Sequence, residues 1–266
     1  MSISPYLWFV ASLLALVLVQ KWIHKHLHGV AFLLTGDPEM AVMLYALPLL
    51  PGVALHELSH ALMATLLGVK SANLTIIPQR QPDGHIRLGS VQVESVDALR
   101  ASLIGLAPLL FGSIVVLLIS AYAFNVTTLG DAVRREDIGA VIASLGGMLS
   151  APDAWLWLYL LFAVANAMVP SPADRVTWPP VILFSLLMLM LALIFGFNAA
   201  VEGVGNLLGE GLRWLAAAFT ITLIVNVPFL IVIWFSELMV GRVKGQRVAY
   251  TSSVDDPPRS GRRKKR

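Results

Sequence analysis

The sequence predicts an all-α polytopic membrane protein of about six transmembrane helices with a small membrane-adjacent β-hairpin, on three grounds. First, 57% of the 266 residues are hydrophobic and only 13% are charged, against about a quarter charged in an ordinary soluble domain. Second, the mean hydropathy of +0.77 excludes a disordered chain, because disorder needs low hydrophobicity and high charge. Third, stretches approaching the roughly 20 apolar residues that cross a bilayer recur along the chain. With no cysteine present, disulfides, a thiolate nucleophile and cysteine-ligated metal are excluded, which leaves site chemistry to His, carboxylates, hydroxyls and Lys.

The predicted spans are 5–20, 40–67, 99–124, 154–169, 181–200 and 212–240. The first reads as a retained helix rather than a signal peptide, since no Lys or Arg precedes it and no small-residue cleavage motif follows before Lys21 and Trp22. Pro48 and Pro51 remove backbone donors and should kink the first half of the second span or make it a separate segment. Between the second and third spans, residues 72–79 and 84–94 are rich in β-branched side chains and joined through Pro82-Asp83-Gly84, a hairpin signature. Residues 131–149 mix apolar and charged side chains and read as an interfacial amphipathic segment. His24, His26 and His28 after the first span offer an i, i+4 pair for a second metal or, more simply, an interfacial helix face.

Four regions follow: residues 1–39 with the first helix and an interfacial segment, a core at 40–175, two helices in 176–240, and a basic disordered tail at 241–266. The tail holds Arg242, Lys244, Arg247, Arg259, Arg262, Arg263, Lys264, Lys265 and Arg266, so the positive-inside rule makes it cytoplasmic. Counting back through alternating spans also places residues 68–98, with Lys70, Arg80 and Arg87, on the cytoplasmic face. Lys21 and Lys25 disagree, because charges after the first helix favour an outside N-terminus. Without aromatic interleaving, the tail points to lipid rather than nucleic acid. No internal repeat is visible, which counts against an inverted-repeat transporter.

The second span contains His56-Glu57-Leu58-Ser59-His60, an H-E-x-x-H pattern. On a helix, i and i+4 share a face, so both imidazoles can meet one zinc ion while Glu57 stands beside it as general acid and base. In a soluble helix the pattern often means only a solvated face. Here each such group, if charged near the span centre, costs about 2.5 to 3.5 kcal/mol, and so demands a partner, a polar cavity or a proton-relay network.

A catalytic zinc usually takes three protein ligands and keeps one position open. Asp174, at the end of the segment from Asn166 through Pro170 and Pro172, is the best third ligand, because the second and fourth spans run in the same direction and both sites lie toward the same ends. An ordinary loop aspartate paired with Arg175 is the simpler alternative. Glu202 competes as a third ligand but follows the fifth span, at the opposite predicted membrane face. Glu237, near the end of the last span, reads as an interfacial charge.

These residues resemble the site-2 protease family of intramembrane zinc metalloproteases. The resemblance rests on H-E-L-S-H at 56–60 in a hydrophobic helix and on the segment from Asn166 to Asp174, which is similar to that family's N-x-x-P-x-P-x-L-D-G motif with the same Asn to Asp spacing. Ser102, Gly105, Pro108, Leu109 and Gly112 loosely resemble its small-residue helix containing Gly-Pro-Leu. Departures are prolines one place later, Ala173 for the leucine and Arg175 for the glycine. The resemblance implies one catalytic Zn2+ held by His56, His60 and Asp174, with Glu57 as catalytic acid and base and Asn166 near the substrate backbone. Asn166 can equally serve as a polar contact between packed helices.

The expected function is a zinc metalloendopeptidase that cleaves membrane-anchored protein substrates in or near their transmembrane segments, with its site opening to the cytoplasm. The hairpin could pair with an unwound substrate strand or merely cap the helices. The alternatives are another membrane zinc protease using Glu202, or a non-catalytic membrane protein or transporter with a buried His/Glu relay. Partners are the substrate and the lipid bilayer, with no nucleic acid.

Overall fold

The computed structural model describes residues 4–76, 78–80, 86–87, 89–128, 131, 135, 137–246 and 248. Helix α1 covers Ser4–Thr35, α2 Pro38–Ala46 and α3 Leu50–Leu66, the last two joined by a 3-10 turn at Leu47–Leu49. Strands β1 (Ser71–Thr75), β2 (Gln79–Arg80), β3 (Ile86–Arg87) and β4 (Ser90–Val93) come next. The chain continues through α4 (Ala98–Phe124), α5 (Ile138–Leu149), α6 (Ala154–Ala167), α7 (Trp178–Ile194) and α8 (Asn198–Lys244).

Local chemistry explains the boundaries. Asp37 caps α2, with Pro38 next in line, by accepting from the Glu39 and Met40 amides at 2.9 and 2.8 Å. Asp97 and Asp137 cap α4 and α5 in the same way, so several of the few acidic residues are committed to helix starts. Pro48 and Pro51 flank the break between α2 and α3, as expected. Gly68, at φ +68°, reverses the chain after α3 and lets Val69 return its amide to the Ala64 carbonyl.

The hairpin forms in the predicted place. β1 pairs antiparallel with β4 (Ser71 with Val93, Thr75 with Ser90), and β2 with β3. The register shifts between Ala72 and Thr75, where Asn73 takes φ +51°, a conformation asparagine tolerates. The predicted turn at Pro82-Asp83-Gly84 lies outside the described residues, as does the tail from 249 onward. The start of the predicted tail is not disordered, because α8 continues to Lys244.

Four helical runs among the described residues are long and apolar enough to cross a membrane: Pro5–Thr35, Pro38–Leu66, Ala98–Phe124 and Asn198–Lys244. The predicted fourth and fifth spans are shorter helices, α6 with 14 residues and α7 with 17, below the roughly 20 needed. The predicted connection near 201–211 is helical instead. It holds no proline, and Glu210 pairs with Arg213 at 2.6 Å one turn on, so α8 runs unbroken for 47 residues.

Helix directions correct the alternating arrangement. α1 and α8 are parallel: Phe9 meets Phe219, His26 meets Glu237 and Lys244 bonds the Leu34 carbonyl. α6 is antiparallel to both α4 and α8, since Tyr122 meets Trp157 while Gly112 meets Met168, and Phe162 meets Phe229 while Asn166 meets Asn226. After Pro170 the chain does not turn back. It continues along α4, with Asp174 against Gly105 and Thr177 bonded to Ser102. One predicted reversal is therefore missing, and the C-terminal end of α8 leaves the bundle opposite the end that holds the hairpin and residues 168–177. The expectation that the start of the tail at the end of α8 and the site lie at one end of the bundle is corrected accordingly.

The absence of native cysteine permits a clean check. Single cysteines at exposed Ser95 and Gln246 are expected to label with an impermeant maleimide from opposite faces of sealed vesicles. Labelling of both from the same face would contradict the helix directions.

Candidate metal centre

His56 and His60 sit one turn apart on α3, facing α4 and α6. Each ring is held from behind: His56 Nδ1 lies 2.7 Å from the Ala167 carbonyl, and His60 Nδ1 lies 2.8 Å from the Ile104 carbonyl. A carbonyl only accepts, so both Nδ1 atoms carry a proton, and in the neutral rings both Nε2 atoms present lone pairs. Those Nε2 atoms are 3.2 Å apart. Asp174 completes the triangle, with Oδ1 at 3.2 Å from His60 Nε2 and Oδ2 at 3.6 Å from His56 Nε2.

With both rings neutral, two imidazole lone pairs and a carboxylate converge without a donor between them, an arrangement that could hold a metal ion. The spacing suits zinc. Ligand atoms about 2.0 to 2.1 Å from one ion at tetrahedral angles lie about 3.3 to 3.4 Å from each other. His56, His60 and Asp174 form the group of potential metal ligands found among the described residues.

The sequence around Asp174 builds its own support. The Ser171 amide donates to Asp174 Oδ2 at 2.7 Å, and Arg175 Nε donates to the Ser171 carbonyl at 3.3 Å. Arg175 therefore braces the turn from outside rather than pairing with the carboxylate. Small residues on α4 let the turn lie flat. A Cβ at Gly105 would overlap the Asp174 carbonyl, one at Gly112 would overlap Met168, and Ser102 Oγ bonds the Thr177 carbonyl at 3.0 Å. Gly52 on α3 plays the same part toward the Ala163 carbonyl of α6.

A cavity of about 770 Å³ opens on this triangle and is lined by Glu57, Gly89 and β4 as well as the three ligands. Glu57 is buried at 8% exposure. The hairpin backbone lies directly on it, because a Cβ at Gly89 would come within 2.8 Å of Glu57 Oε1.

Asn166 is buried, and its Nδ2 donates to the Phe162 carbonyl at 2.8 Å and to Asn226 Oδ1 at 2.9 Å. Its Nδ2 therefore makes the interhelical contact with α8, while Asn166 also lines the cavity. Its carbonyl accepts from His24 Nε2 at 3.1 Å, while Tyr45 OH lies 2.6 Å from His24 Nδ1. Gln20, one turn earlier on α1, donates to the Ala165 carbonyl at 2.6 Å. The hold of Gln20 and His24 on the end of α6 is not among the sequence expectations, which give His24 only a metal or helix-face reading, although two polar residues at i, i+4 in an apolar helix are the available signal. His26 stacks on Trp22 and pairs with Glu237, so the three histidines of that run do not assemble a second metal site among the described residues. Glu202 is exposed on α8 and stands outside the ligand group.

No protein-family model, curated protein or solved structure matches this chain.

Asp174→Ala is expected to reduce bound zinc in the purified protein from about one equivalent to near none, while Glu202→Ala keeps it. The reverse result would move the third ligand to Glu202. Gly105→Ala, which pushes the Asp174 backbone off α4, is expected to weaken zinc affinity by about 10- to 100-fold in a chelator competition.

Proposed function

We propose that the chain is a membrane-embedded zinc metalloendopeptidase, similar in mechanism to the site-2 proteases it resembles, that hydrolyses peptide bonds in or near transmembrane segments of membrane-anchored proteins. The observation that carries this reading is the convergence of two carbonyl-locked imidazoles and one carboxylate at zinc-ligand spacing, beside a buried glutamate in the same cavity.

His56, His60 and Asp174 would hold the ion. When bound, zinc supplies Lewis acidity toward a peptide carbonyl and toward water. Glu57 takes a proton onto its carboxylate as water attacks and delivers it to the departing amine. Burial of Glu57 and His60 among α3, α4 and α6 strengthens these charges. β4 lines the cavity and pairs only with β1 among the described residues. An unwound substrate segment adding to it would be held through main-chain hydrogen bonds, which suits a hydrolase whose substrate is otherwise a helix with its amides hidden. With the basic tail cytoplasmic by the positive-inside rule, the cavity opens toward the other face, and Lys21 and Lys25 then fall on the cytoplasmic half of α1.

Glu57→Gln keeps the shape and removes the base. Cleavage of a membrane-anchored substrate by the purified, zinc-loaded variant is expected to fall by about 10²- to 10⁴-fold with zinc content unchanged. Undiminished cleavage would refute the mechanism. Wild-type protein without stoichiometric metal would favour a His/Glu relay instead.

A further inference from the structure

The two ring-holding carbonyls near the ligands lie where proline affects a helix: inside α4 at Pro108, and at the end of α6 before Pro170. In a regular helix the Ile104 carbonyl would accept the amide of residue 108. That residue is Pro108, inside α4 and fully buried, which has no N–H and whose ring pushes the carbonyl four residues back away from the helix axis. The freed carbonyl is the one that receives His60 Nδ1 at 2.8 Å. The end of α6 repeats the device. The Asn166 carbonyl would accept from residue 170, which is Pro170, and receives His24 instead. Next to it, the Ala167 carbonyl would accept from Ser171, whose amide is turned onto Asp174 Oδ2, and it receives His56.

We propose that Pro108 is a positioning residue for the metal centre: by withholding a backbone donor from Ile104, it reserves that carbonyl for His60 and thereby fixes the imidazole with Nε2 free to ligate. The inference rests on the metal-centre reading and concerns what makes His60 a competent ligand. A ligating histidine whose second nitrogen is held by a carbonyl has its tautomer and aim set before the metal arrives. Restoring an amide at 108 lets the helix reclaim the Ile104 carbonyl. His60 then loses its preference for the Nδ1–H form, although it remains present and close. Pro228 of α8 is the internal comparison, because it also sits inside a helix, and the carbonyl it would free belongs to the exposed Ile224 and is not the one that holds either ligand histidine.

The test uses the full-length purified protein in three forms: wild type, Pro108→Ala and Pro228→Ala. Zinc affinity is read by competition with a chelator, the His60 tautomer of the metal-free protein by ¹⁵N NMR of the imidazoles, and folding by the thermal transition of the metal-free protein. Pro108→Ala is expected to keep a cooperative transition, to show mixed His60 tautomers and to bind zinc about 10- to 100-fold more weakly. Pro228→Ala is expected to match wild type in affinity and tautomer. A Pro108→Ala protein with wild-type affinity and a pure Nδ1–H tautomer would overturn the proposal while leaving the metal centre standing, as would equal losses in both variants. A wild-type protein that binds no zinc would overturn both. If Pro108→Ala loses its thermal transition, Pro108→Ser, which restores the same amide, is measured against the same expectations.

Discussion

The candidate site depends on one kind of hydrogen bond: the imidazole Nδ1–H of His56 and of His60 donated to a main-chain carbonyl of a neighbouring helix. Those two bonds choose the tautomer, aim the Nε2 lone pairs at one point and tie α3 to α4 and α6. If a histidine loses its carbonyl, a ring that flips delivers N–H rather than a lone pair to the centre, and the converging carboxylate loses its counterpart. Inside an apolar bundle such groups have no water to fall back on, so the carbonyls must be supplied by helices that have given up one of their own bonds.

The rest of the bundle holds those carbonyls in place. Residues 168–177 can run along α4 only because Gly112, Gly105 and Ser102 leave room for backbone to meet backbone. The end of α6 is grasped from α1 by Gln20 and His24 and from α8 by Asn226, while α1 and α8 lie side by side along much of their length. α7 contributes little to this, since it has no buried residue. The long outer helices therefore serve the site by clamping one short helix whose carbonyl end carries two histidine partners.

Much of the core was legible in the sequence. H-E-x-x-H places two imidazoles on one helix face by periodicity alone, and a proline-broken segment after Asn166 marks where an acid can approach. The hairpin was readable from its β-branched runs and turn residues. What was not legible is directional. An apolar stretch carries no sign of the direction the chain takes after it, so the proline-broken segment marks the turn that carries Asp174 but not the path of residues 168–177 along α4. Glycine-rich residues 201–211 were read as a connection, but without proline they remain helical. The roles of Gln20 and His24 depend on which carbonyls lie across the interface, which the sequence of one helix cannot show. Asn166 illustrates the same limit: its position in the motif was evident, but its contact with Asn226 was not.

The central claim is that His56, His60 and Asp174 form a zinc site. Zinc-edge X-ray absorption on the full-length protein as purified tests it most directly. The account predicts about one zinc per chain in a shell of nitrogen and oxygen donors with imidazole scattering and Zn–N distances of about 2.0 to 2.1 Å. A protein without stoichiometric zinc, or a zinc shell lacking imidazole, would contradict it.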